Sequence, residues 1–460
     1  MERIVEVGQQ KEGFWKVVFS VAIPVAIQGL LYSVLNILDQ IMVGQKGETA
    51  VVAVGLASKN FSVLNFTLMG LTGGLAILSA QLIGNNQREK IAKIQGMTLF
   101  SGAILTLLFV AVSLFLPVWS MHLFTTDPNV IREGALYHQA LALGYIPVLL
   151  IMVYSAVLRN AKIVKLPMYV GMAAVVLNAA LNYILIFGHF GAPALGVFGS
   201  GLATTISQYV ECAILLGVVF GRKLIGNYGL RKLLSFLKFD ADIKLFWVLT
   251  LPLLIEEISF ILADTVDNSI YGFMGTRQTI AITIMNPVQG LIIGFFGGFA
   301  TAASVLIGNH LGSDEKDEAY NAAKRILIVG AIMPLILGII YLFFNSWYLG
   351  FYHLDNYSYN LTQTLMVVMV IILPVKIVNM IITAGVLSAG GETKFVLYQS
   401  IFGSWVFAIP FGLVAAFVLK LPIYWVFVAI SFEEFIRVAI CIWKIRTRTW
   451  LNNLVADANE

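Results

Sequence analysis

Residues 34–44 read VLNILDQIMVG, and residues 262–272, 228 positions later, read LADTVDNSIYG. Both stretches are apolar, both carry an acid at the same place (Asp39 and Asp267), and both end on glycine. An acid inside a greasy segment needs a physical reason. Its recurrence at a fixed offset points to a duplicated architecture.

The flanking sequence fixes the class. The chain has 460 residues, 59% hydrophobic and 12% charged, with a mean hydropathy of +0.87. Soluble domains carry about a quarter charged residues. No Asp, Glu, Lys or Arg occurs in residues 94–126, 166–210, 278–313 or 326–354. A membrane-spanning helix needs about 20 apolar residues, and lipid admits only helices or closed barrels. The runs are too continuous for the alternating strands of a barrel. An all-α polytopic membrane protein is therefore expected. Its twelve spans fall near 15–43, 53–84, 94–118, 135–158, 167–188, 195–219, 244–271, 280–311, 322–345, 361–388, 395–419 and 421–443.

Charge placement tests that count. With the N-terminus in the cytoplasm, the six opposite loops hold only Lys46, Arg132, Arg277 and Lys420. Lys59, Lys376 and Arg437 fall inside spans. The rest of the 29 Lys and Arg lie on segments assigned to the cytoplasm, as the positive-inside rule requires. Both termini are then cytoplasmic. The acidic N-terminal stretch does not read as a removable signal peptide. Cys212 and Cys441 sit in apolar helices as small hydrophobes rather than as a disulfide.

The 228-residue shift aligns more than one acid. Pro24 falls on Pro252, Gly44 and Gly47 on Gly272 and Gly275, Gly84 on Gly312, and Arg88 on Lys316. Two six-helix lobes are expected, residues 1–220 and 244–460, joined by a basic cytoplasmic linker at 221–243. An even number of spans per repeat gives the lobes one orientation, related by a pseudo-twofold axis along the membrane normal. Such proteins hold substrate between or within the lobes, so a transporter is expected rather than an enzyme.

Several segments resemble the multidrug and toxic compound extrusion (MATE) family: LDQIMVGQKGETAVVAVGLA, LNAALNYILIFGHFGAPALGVFGSGLATTIS, LPLLIEEISFILADTVDNSIYGFMGT and VLSAGGETKF. The resemblance covers nearly the whole chain. It implies a secondary antiporter in a prokaryotic inner or plasma membrane, acting as a monomer. Such a protein exports small organic cations and drug-like compounds in exchange for H⁺ or Na⁺. It also implies an ion site in which the first-helix Asp39 is joined by Asn178, Asn182 and Thr204. The position of Asn182 is an aspartate in some members, so this chain has one carboxylate fewer.

The residues themselves allow two readings of this site. Asp39, with Asn36 and Gln40 beside it, is either an exchange site or a wetted acid near the outer end of its helix, close to Gly44 and Lys46. A carboxylate withdrawn from water holds a proton or a cation but not easily both, which is what exchange needs. Asn178 and Asn182 share a helix face and offer hard oxygens, or simply tie helices together.

The seventh span carries EEISFILADTVD. Glu257, Asp264 and Asn268 share a face, with Glu256 and Asp267 on its flank. These acids are expected to draw a cationic substrate or a proton into the cleft. Glu257 is the best match to a glutamate found in part of the family, and the tenth-span aspartate of some members has no counterpart. That span has Lys376 and Asn379 instead, with Lys376 either pairing with an acid or reaching the inner interface. Glu433, Glu434 and Arg437 are expected to pair along the last helix, and Glu211 is assigned a similar structural role.

No phosphate-binding GxxxxGK[ST] and no metal-ligand spacing of histidines is found, so no cofactor and no nucleic-acid partner is expected. The alternative function is a flippase for lipid-linked saccharides. It predicts a cleft rich in Arg and Lys, whereas the embedded acids outnumber the embedded bases.

Overall fold

The computed structural model describes residues 13–237, 240–352 and 354–456. Its membrane-spanning elements are α1 (Phe14–Gly44), α2 (Glu48–Gly84), α3 (Arg88–Phe115), α4 (Pro128–Ala142), α5 (Tyr145–Asn160), α6 (Lys165–Phe187) and α7 (Gly196–Gly221) in the first half. The second half has α8 (Ala241–Met274), α9 (Thr276–Gly312), α10 (Lys316–Leu349), α11 (Asn356–Leu387), α12 (Thr393–Val418) and α13 (Ile423–Arg446). With no water in the hydrocarbon to satisfy backbone groups, each span closes its own hydrogen bonds as a helix. Ten of these helices are long and apolar enough to cross a membrane. The pair α4 and α5, bent by 50°, makes an eleventh crossing. The twelfth, α13, is 24 residues long and carries Glu433, Glu434 and Arg437 within its apolar stretch.

The sequence suggested one span at 135–158, but the structure breaks it between Ala142 and Tyr145. Pro147 has no N–H for the carbonyl one turn earlier, so the helix loses a bond where the break falls. Aspartates start other helices. Asp127 accepts from the Asn129 N–H, Asp240 from Asp242 and Ile243, and Asp355 from Ser358.

The repeat is visible in the backbone. α2 and α9 begin and end 228 residues apart, as do the starts of α3 and α10. The turn before each of α2 and α9 is made by Gly47 at φ +113° and Gly275 at φ +127°, a region that favours glycine. The chain folds as two lobes, α1–α7 and α8–α13, packed through α1 on α9 and α2 on α8 and α9.

Small residues carry this junction, and they do so reciprocally. A methyl group at Gly84 would lie 2.1 Å from the Asn309 carbonyl oxygen, and one at Gly312 would lie 2.0 Å from that of Gln81. Gly84 and Gly312 are repeat mates, and so are Gln81 and Asn309. Gly70 meets Leu254 while its mate Gly298 meets Ala26, the mate of Leu254. The same patch is thus used twice about a pseudo-twofold axis.

These contacts lie in the half of the molecule nearest the two chain ends. Farther out the lobes part. No described residue of α1 from 29 to 42 is buried, and in α8 only Ala263 is buried from 253 to 269. The cleft therefore opens at the face opposite the termini.

The closed face carries a strap. After α13 the chain runs under the junction with Trp450 fully buried. Gln81 of the first lobe donates to the Ala389 carbonyl at 2.8 Å and to the Asn452 carbonyl at 3.2 Å, and accepts from the Leu454 N–H at 2.8 Å. Asn452 in turn donates to the Gly390 carbonyl at 3.2 Å.

Overpacking costs about 1–3 kcal/mol where backbone cannot move. Gly84→Ala and Gly312→Ala are each expected to lower the melting temperature of the purified protein by several degrees. Gly55→Ala, on the same helix as Gly84 with nothing within 4 Å of the new methyl, is expected to leave it unchanged or raise it. Equal melting of all three variants would contradict the close crossing.

Candidate ion-coupling site

The first lobe brings Asp39 on α1, Asn178 and Asn182 on α6, and Thr204 on α7 into one hydrogen-bonded cluster. α6 packs against both α1 and α7, and the four-residue spacing of its two asparagines aims both at the seam. Asn182 Nδ2 donates to Asp39 Oδ1 and, at 2.8 Å, to Asn178 Oδ1. Asn178 Nδ2 lies 3.1 Å from Thr204 Oγ1, which donates to the Ser200 carbonyl. With the Asn178 amide turned over, its nitrogen reaches Asp39 Oδ1 at 3.2 Å and its oxygen accepts from the Thr204 N–H and hydroxyl.

Burial is graded across the cluster. The asparagines are buried, while Asp39 and Thr204 are partly exposed. Asn182 Oδ1 is buried with no hydrogen-bond partner among the described residues. An orphaned amide oxygen beside a carboxylate suits a small hard cation or a protonated oxygen. Tyr137 on α4 is also close enough to feel the charge of Asp39. Sequence reasoning missed it, because nothing in the spacing of α4 relates it to α1. The side chain of Asn36 lies outside the described residues.

The acids of α8 divide into two sets. Glu256 feels the charge of Arg437, and Asp267 the charges of Glu433 and Lys376, while Asp267 Oδ1 is buried with no hydrogen-bond partner among the described residues. Asp264 and Asn268 are exposed, with Asn268 Nδ2 donating to Asp264 Oδ2 at 3.1 Å. Glu257 is half-buried beside Glu256. Residues 256 and 267 differ by three full helical turns, which puts them on the face toward the lobe interior. Lys376 is half-buried among acids, its charge acting on both Asp267 and Glu433.

The last helix departs from the pairing expected within it. Arg437 Nη1 is 3.7 Å from Glu433 Oε1, as the four-residue spacing suggested. Arg437 Nε, however, donates to Gln399 Oε1 at 2.9 Å, and Glu433 accepts from Ser404 at 3.2 Å. Glu434 makes no ion pair with Arg437 within 4 Å among the described residues. It accepts from Asn379 Nδ2 at 2.5 Å instead. Asn379 lies two residues before a π-helical stretch, Ile381–Leu387, and Ser404 lies within another, Phe402–Ala408. Inserted residues of this kind rotate the helix face, which no within-helix rule anticipates.

Removing one partner of a buried ion pair costs about 3–5 kcal/mol because the other charge is left bare. Arg437→Gln is expected to lower thermal stability markedly, and the double variant Arg437→Gln with Glu433→Gln to recover most of the loss. No recovery in the double variant would mean the two charges do not compensate each other.

Comparisons with known proteins agree with this architecture. A sequence model of the MatE family matches residues 24–184 and again residues 252–414. The two matches start 228 residues apart. The chain is 22% identical over 440 residues to the uncharacterized transporter YisQ of Bacillus subtilis, covering 95% of both chains. It is 26% identical over 434 residues to the probable multidrug resistance protein YoeA of the same organism, covering 93% of this chain and 92% of the relative. Its fold matches the crystal structure of the MATE transporter VcmN of Vibrio cholerae with a TM-score of 0.86. That match has 18% identity and covers 96% of this chain and 98% of the other. With two lobes of six spans and a family match in each, this chain belongs to the MatE family of membrane transporters and is not an enzyme.

Proposed function

We propose that the protein is a secondary antiporter that exports small organic cations and drug-like compounds in exchange for H⁺ or Na⁺. The observation that carries this reading is the Asp39 carboxylate, held by the Asn182 amide at the edge of the cleft, with an orphaned amide oxygen beside it. An embedded carboxylate with only neutral partners is costly unless something positive visits it. A proton or a sodium ion satisfies it equally, and each excludes the other.

Coupling follows from differential affinity. With the cleft open opposite the termini, the site is reached from that side, and occupancy by the ion favours rearrangement of the lobes and release of the cation. The acids Glu257, Asp264 and Asp267 on α8 supply the negative field that draws in an organic cation. The lobes, residues 1–220 and 244–460, move as the units of alternating access about the linker between them. On this reading both termini are cytoplasmic and the protein works as a monomer in the cell's inner or plasma membrane. The ion gradient is the energy source and no cofactor takes part.

The test is efflux of a fluorescent organic cation in everted vesicles, with pH and Na⁺ gradients imposed separately. Wild type is expected to respond to one of them, and Asp39→Asn to lose at least about tenfold of that response, a barrier change of about 1.4 kcal/mol or more. Undiminished transport in Asp39→Asn would move the coupling site to Glu257, Asp264 and Asp267. Inactivity of wild type under both gradients would refute antiport. Asn182→Asp adds a second carboxylate and is expected to lower the Na⁺ concentration that half-saturates the protein.

A further inference from the structure

A second carboxyl group lies in the first lobe, and the coupling site does not account for it. Glu211 on α7 is 4% exposed and accepts a hydrogen bond from Tyr32 Oη of α1 at 2.9 Å. Gly171 of α6 faces the pair. A methyl group there would lie 3.2 Å from Tyr32 Oη and 3.5 Å from Glu211 Oε1. Gln28, one turn before Tyr32, reaches the Pro167 carbonyl at 3.5 Å.

The register of these residues is informative. Tyr32 precedes Asp39 by seven positions on α1, and Gly171 precedes Asn178 by seven on α6. Glu211 follows Thr204 by seven on α7, which runs in the opposite direction to α6. The second cluster therefore repeats the first on the same three helices, two turns or about 10 Å nearer the termini. Gln208, between Thr204 and Glu211 on α7, has a buried Oε1 with no partner among the described residues.

Glu211 has a phenol rather than a basic group as its hydrogen-bond partner. No Lys or Arg lies within 4 Å of it among the described residues. Arg159 on α5 acts on Tyr32, and Cys212, which neighbours Tyr154 of α5, is the next residue on α7. Tyr137 of α4 feels the charge of Asp39. One carboxylate and one phenol offer too few oxygens to strip a sodium ion of its water.

We propose that Glu211, held by Tyr32, is a second proton-binding site of the first lobe, and that the coupling proton passes through it between Asp39 and the face that carries the termini. The inference rests on the antiport reading above, with H⁺ as the ion. In the transfer, the O–H bond of the Asp39 carboxyl breaks and water bridging the two clusters carries the proton onward. Tyr32 takes that proton while giving its own to Glu211 Oε1, so the phenol ends neutral and the new O–H bond is on Glu211.

The experiment uses the full chain in proteoliposomes with a fluorescent organic cation. It compares pH-gradient-driven uptake with counterflow, in which substrate exchanges for substrate and no gradient is imposed. Glu211→Gln is expected to lose driven uptake by about tenfold or more, which is about 1.4 kcal/mol, while counterflow stays near wild type. Glu211→Asp is expected to restore part of the driven uptake, and Tyr32→Phe to move its pH profile. An infrared carboxylic-acid band that titrates in the purified wild type and is absent from Glu211→Gln supports the site independently of transport.

Wild-type uptake by Glu211→Gln overturns the proposal. So does equal loss of uptake and counterflow without rescue by Glu211→Asp, which marks a structural tie. Wild-type uptake that responds to Na⁺ alone also overturns it. Asp39→Asn separates the two readings. If it keeps driven uptake, the Asp39 assignment fails, and with it the passage of the proton from Asp39. If it loses uptake while Glu211→Gln keeps it, only the second site fails.

Discussion

A charge in the middle of a bilayer costs about 2.5–3.5 kcal/mol even on lenient scales, and the two lobes meet that cost in different ways. In the first lobe Asp39 accepts from the Asn182 amide, within a neutral cluster that includes Asn178 and Thr204. Its repeat mate in the second lobe, Asp267, stands beside Lys376, within a set of charges that includes Glu256, Glu433 and Arg437. One copy of the duplicated acid sits among neutral hydrogen-bonding groups. The other sits among charges of both signs, with its own Oδ1 buried and unpartnered among the described residues. Duplication supplied two equivalent positions, and the neighbouring residues made them chemically unequal.

The junction between the lobes obeys a second constraint. Lipid tails are as apolar as leucine, so helices in a membrane gain little by hiding apolar surface from one another. They gain by close packing. Gly84 on Asn309 and Gly312 on Gln81 are the points where that packing is tightest. Because each contact has a mate across the pseudo-twofold axis, the lobes can rock about it without one side of the junction being favoured over the other. The carbonyls involved are already bonded within their helices, so the approach needs no new polar partner.

Much of this was legible in the sequence, for identifiable reasons. The charge-free runs and the basic loops mark the spans because the cost of a charge in lipid is large beside any local preference. The repeat survives because glycines at positive φ, such as Gly47 and Gly275, admit few substitutes. The face shared by Asn178 and Asn182 follows from helical geometry alone. What was not legible depends on how one helix is rotated against another. The partnership of Glu434 with Asn379, the approach of Tyr137 to Asp39, and the break between α4 and α5 all lie on that level. The π-helical stretches of α11 and α12 shift the register that a regular helix would give. Glu211 lies between the two cases. Its seven-residue offset from Thr204 is in the sequence, but the offset acquires meaning only when Tyr32 is seen opposite.

The strap after α13 has a consequence for timing. Gln81 bonds the tail at Asn452 and Leu454 and bonds the second lobe at Ala389, so parting the lobes on this face breaks hydrogen bonds that the spans alone do not make. At about 1 kcal/mol each, three such bonds weight the closed face by roughly two powers of ten. The segment at residues 447–456 thus works as a latch between the lobes. Any motion that parts the lobes here must first release it, so these three bonds limit how often this face can open.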